Sequence, residues 1–225
     1  MREEPPPSSP VDAPDAEKET GRIEAFSDGV FAIAITLLVL DLKVPRPEAG
    51  HPLLRRLTDE WPALLAYLTS FVTILVMWVN HHRMFRCIRR SDDPFLFLNG
   101  FLLLLVTFVP FPTSIVALYL RQSEGRPADA RTAGLVYAGT YVVIAIAFNV
   151  LWHYAARGRR LIGAQVSDER IRQISRQYAP GVPIYLVACG LALYSAWASV
   201  ALCLLLAVFF ASSGALPGRR ADAST

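Results

Sequence analysis

Apolar residues in this chain gather in long blocks, separated by short polar or basic stretches. Blocks at about 22–43, 62–84, 94–120 and 133–156 are each long enough for one membrane-crossing helix, which needs roughly 20 apolar residues to span a hydrocarbon core of about 30 Å. A last block runs from Ile184 to Ser212, about 29 residues. One helix of that length would tilt strongly in the bilayer. The pattern is read as two helices broken near Ser195–Ser199, giving six transmembrane helices in an all-α membrane protein. Within the third block, Pro110-Phe111-Pro112 predicts a kink. Before the fifth span, Ser167–Gln177 (SDERIRQISRQ) has the amphipathic pattern of a short helix with Ser167 as its N-cap.

The ends differ from the blocks. Residues 1–21 are rich in Pro, Ser, Asp and Glu and lack an apolar run, so they read as a disordered tail. The domain plan is this tail, a six-helix unit over 22–213, and a short tail over 214–225. No basic start leads into an apolar core, so no signal peptide is expected in the tail.

Charge sets the orientation. With six spans, 15 of the 22 Lys and Arg residues share the side of both termini. The positive-inside rule then places both termini in the cytoplasm, and the chain is expected in the inner (plasma) membrane. Arg83, Arg86, Arg89 and Arg90 form a basic cluster on that side. They fix topology, and they form a possible seat for anionic lipid.

Composition narrows the class. Of 225 residues, 53% are hydrophobic and 18% charged, with a mean hydropathy of +0.37; that excludes an ordinary soluble enzyme. A net charge of +3 gives no reason to expect nucleic acid. Cys87, Cys189 and Cys203 have no metal-ligand spacing and read as buried thiols. No HExxH, CxxC, GxSxG or phosphate-binding glycine loop occurs. Neither enzyme activity nor a cofactor is expected.

The first span, RIEAFSDGVFAIAITLLVLDLKVP, carries the candidate chemistry. At 100° per residue, Phe26, Gly29, Ile33, Leu37 and Leu40 form an apolar ladder. Ala25, Gly29, Ala32 and Thr36 form an adjoining small-residue edge of the kind that lets membrane helices approach closely. Several copies around an axis would make a narrow apolar pore. The plainer alternative is ordinary apolar surface. Thr36 has two readings, a pore-near oxygen or a back-bond to the Ala32 carbonyl. Asp28 lies off the ladder and requires a partner; Arg22, Trp78, His81 and His82 are the candidates. A packing network is favoured there over an ion site. His81 or His82 titrating near neutral pH is a further reading, against an interfacial role. His153 reads as interfacial, beside Trp152 and Tyr154. Asp41 and Lys43 end the span, as an acidic vestibule or a solvated helix end.

The run Arg22-x-x-x-Phe26-Ser27-Asp28, continuing into GVFAIAITLLVLDLKVP, resembles the first helix of the transmembrane protein 175 potassium channel family, in its bacterial single-repeat branch. Trp78-Val79-Asn80-His81-His82 resembles the end of that family's second helix. The third span, with Asn99 and Pro110-Phe111-Pro112-Thr113, is similar as well. The resemblance implies a homotetramer of six-helix subunits whose first helix lines a potassium-permeable pore. It implies an apolar constriction in place of a carbonyl filter, and no TVGYG-like string occurs. By position from the motif, the constriction falls on Ile33, with Leu37 and Leu40 further along and Thr36 nearby. Arg22, Phe26, Ser27, Asp28, Trp78, His81, His82 and Asn99 are then expected to fix helix packing. Potassium would be the cargo, not a cofactor. Two rivals remain: a proton-permeable channel or proton-coupled transporter working through Asp28, His81 and His82, and a scaffold that moves no ion.

Overall fold

A computed structural model describes residues 12–42, 44–45, 52–121 and 125–213. Their regular elements are helical. They are α1 (Asp12–Leu37), α2 (Leu53–Asp59), α3 (Trp61–Phe85), α4 (Asp93–Phe108), α5 (Pro110–Arg121), α6 (Pro127–Ala156), α7 (Asp168–Tyr178), α8 (Gly181–Ala192) and α9 (Ala196–Ser213). Four stretches are long and apolar enough to cross a membrane: Glu19–Leu40, Trp61–Phe85, Asp93–Arg121 and Pro127–Arg159. These match the first four blocks, and the chain is an integral membrane protein.

The last block is two helices, with the break at Leu193–Ser195. Ser195 lies at the predicted break, and its hydroxyl oxygen accepts from the Ala198 N–H. That is an N-cap, which lets a new helix start inside an apolar run. Both helices are shorter than the four long spans, α8 at 12 residues and α9 at 18. The third block is interrupted where the kink is expected, at Val109 between α4 and α5, because Pro110 and Pro112 cannot donate to the helical ladder. Ser167 caps α7 as predicted, accepting from the Arg170 N–H.

Two boundaries differ from the sequence pattern. α1 begins at Asp12, inside the stretch assigned to the tail. The sequence there, Asp12-Ala13-Pro14-Asp15, suits a first helical turn, with acids and a proline where free N–H groups collect. At its other end α1 tightens into a 3₁₀ turn over Leu38–Asp41. Residues 1–11 and 214–225, Lys43 and the side chain of Asp41 lie outside the described residues, so the outer vestibule and most of both tails do too.

α6 is the centre of the bundle, packing on α4, α5, α8 and α9. α3 packs on α5 and α9, and α1 leans chiefly on α3 and α4 among the described residues. Gly134 allows the close approach of α6 to the α8–α9 junction: a Cβ there would come within 3.2 Å of the Ala192 Cβ and 3.3 Å of Ala196. At one end of the bundle Arg121 donates twice to the Glu60 carboxylate at 2.7 Å, and Trp61 stacks on Trp197. At the other end the α3–α4 and α6–α7 loops pair. Ile88 and Ile162 form an antiparallel bridge, the Arg89 N–H donates to Leu161 O, and the Gly163 N–H donates to Cys87 O. This pairing brings Arg86, Arg89 and Arg90 to the same end as Arg157, Arg159 and Arg160. Arg159 adopts a left-handed backbone after Gly158 and bonds Asp168 and the Val166 carbonyl. Cys87 is buried at this junction. Burial pushes its thiol pKa up, only partly offset by Arg170 and Arg86 beside it. Slow alkylation of Cys87 at neutral pH is therefore expected until the protein unfolds.

A cluster of buried hydroxyls holds α3, α5 and α6 together. Ser70 Oγ lies 2.7 Å from Thr113 Oγ1 and 3.0 Å from the Tyr137 hydroxyl, and Tyr141 donates to Ser70 and Tyr137. No water competes for such groups in lipid, so they act as interhelical ties. Ser70→Ala removes the hub. It is expected to lower stability by about 1 kcal/mol, within the range measured for such bonds in membranes. Thermal unfolding in detergent checks this, with exposed Thr107→Ala as a control expected to change little.

Candidate functional site

The two faces of α1 differ sharply. Ser27, Phe31, Ala34 and Leu38 are buried and recur at intervals of three and four, the spacing of one helical stripe. They meet α3 and α4. On the opposite side Phe26 is 67% exposed, Ile33 58%, Leu37 40% and Leu40 74%. Ala25, Gly29, Ala32 and Thr36 are exposed with them. Both stripes read from the sequence therefore lie on the side of α1 that its own bundle leaves uncovered. Only 22% of the α1 span is buried, against 44–50% for the other three long spans. Thr36 does back-bond, but to Ile33 O at 2.9 Å and not to Ala32. Its hydroxyl proton is thereby engaged, and the residue is exposed.

The buried face is polar at one level. The Ser27 hydroxyl donates to Ile23 O at 2.8 Å. Its oxygen accepts from Asn99 Nδ2 at 3.0 Å, and Asn99 Oδ1 lies 2.9 Å from His81 Nε2. Because Asn99 Oδ1 can only accept, the chain of bonds places the His81 proton on Nε2. Phe31 and Phe85 flank the imidazole at ring-centroid distances of 5.3 and 4.3 Å. His81 Nδ1 has no hydrogen-bond partner among the described residues. One helical turn on, the Trp78 indole N–H donates to Asp28 Oδ1 at 2.8 Å. Closer to the arginine-rich end, His82 Nδ1 meets Glu24 Oε1 at 2.8 Å.

Of the predicted packing residues, the structure thus brings together Ser27, Asn99 and His81 in one bonded chain and Asp28 with Trp78 in another. His82 belongs to a third pair, with Glu24 as a partner that the sequence did not single out. Arg22 and Phe26 stay out of these contacts. Both are exposed, and they sit one turn apart, Phe26 continuing into the Ile33 stripe, so the rotation that buries Ser27 turns them away. Arg22 borders an open groove between α1 and α4 that reaches Asn99. Phe31 and Phe85 were missed as members of the site. Phe31 was findable, since it follows Ser27 by four residues on the same stripe; Phe85 bears the same relation to His81 on α3. Among the described residues, no group of three or more His, Cys, Asp or Glu side chains is placed to hold a metal ion.

Comparison with known proteins agrees with this architecture. The family described as endosomal/lysosomal potassium channel TMEM175 matches residues 22–110, the region that contains the α1, α3 and α4 contacts. A protein named "Potassium channel Cha6605_3372" from Chamaesiphon minutus is 51% identical over 203 residues, covering 89% of this chain and 97% of that protein. The crystal structure of a lysosomal potassium-selective channel TMEM175 homolog from the same organism superposes with a TM-score of 0.78. It is 50% identical, and the match covers 88% of this chain and 99% of that one. A Homo sapiens relative, named endosomal/lysosomal proton channel TMEM175, is 31% identical over 143 residues, which is 60% of this chain and 28% of that protein. With one relative matched over nearly its whole length at this identity, and a solved homolog sharing the fold, the chain belongs to the TMEM175 potassium channel family.

Proposed function

We propose that this chain is the subunit of a potassium-permeable, leak-type channel, in which four copies surround a pore lined by the exposed face of α1. The observation that carries the reading is that face: an apolar ladder and a small-residue edge, both uncovered, on the least buried of the long spans. A closed ring of copies would cover the small-residue edge and leave the ladder facing the axis. Ile33 is then the narrowest point, with Leu37 and Leu40 extending the constriction and Thr36 offering lone pairs beside it. Such a ring supplies no oxygens to replace a hydration shell, so it acts by size and dewetting. Potassium holds its water less tightly than sodium and crosses with the lower barrier. The six-span arrangement, with both termini in the cytoplasm of a plasma-membrane protein, places the loop arginines inside, where anionic lipid headgroups meet Arg83, Arg86, Arg89 and Arg90. Ser27, Asp28, Trp78, His81, His82 and Asn99 hold α1 at the rotation that aims Ile33 at the axis.

The test is flux into liposomes containing the purified full-length protein, with potassium, sodium and protons offered separately. Potassium flux exceeding sodium flux, with no proton gradient required, is the expected result. Silence to all three ions from folded protein rejects the channel.

The human relative's name supports a second reading, in which protons pass by way of Asp28, His81 and His82. Asp28→Asn separates the two. Asn keeps an oxygen for the Trp78 N–H, so on the potassium reading fold and potassium flux are expected to survive nearly unchanged. Abolished flux in a folded D28N protein transfers the function to the carboxylate.

A further inference from the structure

Behind α3, on the side away from α1, lies a partly open cavity of about 60 Å³ between α3, α6, α8 and α9. It lies toward the arginine-rich end of the bundle, where α7 closes it with Gln177 and Tyr178. No Asp, Glu, Lys, Arg or His lines it. Its apolar wall includes Ile144, Phe148, Ala207 and Phe210. Its polar wall is only partly satisfied. Gln177 donates to Asn80 Oδ1 at 3.3 Å, and Asn149 donates to the Ala145 and Tyr178 carbonyls. The Tyr185 side chain also lines the cavity and is only 7% exposed. Its ring stacks on Tyr141, and its hydroxyl has no hydrogen-bond partner among the described residues.

The ring is buried while the hydroxyl bonds no described residue and keeps accessible surface at the cavity, so a partner is to be expected from outside the chain. We propose that the cavity binds the hydroxyl or carbonyl end of a neutral, single-chain amphiphile, with Tyr185 donating to its oxygen and the chain leaving through the open side. Neutrality follows from the lining, which offers nothing to offset a charge. The single chain follows from size. A cavity of roughly 150 Å³ accommodates benzene; one of less than half that volume admits a polar end and the first few carbons of a chain, not a ring. A free long-chain alcohol and the glycerol end of a monoacyl lipid share this chemistry. The proposal concerns binding and does not rest on the channel reading. Its position is nevertheless pointed: Thr73–Asn80 of α3 line the cavity, and Trp78, on the same turns, bonds Asp28 of α1.

The experiment is photolabelling of the full-length, delipidated protein in detergent with a straight-chain alkanol carrying a diazirine, followed by mass spectrometry of its peptides. Adducts are expected on the α6 and α8 stretches lining the cavity, and an excess of unlabelled alkanol or of a monoacylglycerol of equal chain length should suppress them. Suppression by the glyceride at lower concentration identifies a lipid end as the preferred source, and the reverse order a free alcohol. Tyr185→Phe keeps the ring and loses only the unpartnered hydroxyl, so folding is preserved. Its labelling is expected to fall about fivefold, the value of one hydrogen bond. Ala145→Leu fills the cavity and should abolish labelling while the protein elutes normally in gel filtration. Labelling confined to lipid-facing surfaces, without competition and unchanged in both variants, overturns the proposal and leaves the cavity to water. Loss in Ala145→Leu with none in Tyr185→Phe overturns the part assigned to the hydroxyl.

Discussion

Replacing Ile33 with alanine is expected to raise potassium flux through the reconstituted protein about tenfold and bring the potassium-to-sodium ratio close to one; a tenfold gain corresponds to a barrier lower by ~1.4 kcal/mol. In the proposed ring each substitution would withdraw three carbons, and a wider ring would let an ion pass with more of its shell. The experiment is clean because Ile33 is 58% exposed within its own subunit. Truncating it opens no internal cavity, so a change in flux is separable from a loss of fold. Leu38→Ala is the contrasting control: Leu38 is fully buried on the opposite face, so its truncation should cost ~2–5 kcal/mol of stability through a route unrelated to the pore. Wild-type current and selectivity from I33A, measured in the same liposomes, would remove Ile33 from the constriction.

Asn99→Ala is expected to destabilise the protein by ~1–3 kcal/mol, the cost of leaving buried polar groups without partners. Asn99 is the middle of the Ser27–Asn99–His81 chain. Without it, His81 has no hydrogen bond at either nitrogen, because Nδ1 is already without a partner among the described residues. Ser27 keeps its bond to Ile23 O but loses its tie to α4. Pairing Asn99→Ala with His81→Phe provides the decisive comparison. Phenylalanine removes the imidazole and stacks between Phe31 and Phe85 in its place, so the double variant should recover much of the loss. Additive losses in thermal unfolding would mean that the two residues are not coupled. α1 depends on this contact more than another helix would, since α3 and α4 are its only substantial helical neighbours among the described residues.

The parts of this molecule visible in the sequence follow from one-dimensional rules. Span positions came from block length, the α4–α5 interruption from Pro110 and Pro112, the α8–α9 break from a serine inside an apolar run, and the α7 cap from Ser167. The two stripes of α1 came from a period of 3.6 residues, which fixes the angle between side chains on one helix. That period does not fix how a helix is rotated against its neighbours. Six residues of the packing network were named individually, yet Trp78 was only one of four candidate partners for Asp28, and Glu24 was not matched to His82. The hydroxyl cluster of Ser70, Thr113, Tyr137 and Tyr141 was not anticipated, because four unremarkable positions on three helices become a site only when the helices are rotated together. Pairing of Ile88 with Ile162 was missed for the same reason. Arg22 and Phe26 were grouped with Ser27 and Asp28 as one motif, but a helix separates neighbours in sequence by 100° and turns them to different faces.

The bond between Ser27 and Asn99 spans 72 positions in the chain, and that between Asp28 and Trp78 spans 50. Synthesis proceeds from the N-terminus at roughly 5–20 residues per second, so Ser27 is made roughly 4–14 s before its partner exists. During that interval the Asp28 carboxylate lacks the indole N–H that later satisfies it and Ser27 has only its bond to Ile23 O within α1, and a lone helix carrying Asp28 is poorly suited to diffuse freely in lipid. The nascent α1 is therefore best retained beside the insertion machinery until α3, and then α4, arrive to claim it. A ribosome stalled before Trp78 is made should hold α1 at the translocon, whereas one stalled after α4 has emerged should release a docked three-helix unit into the bilayer.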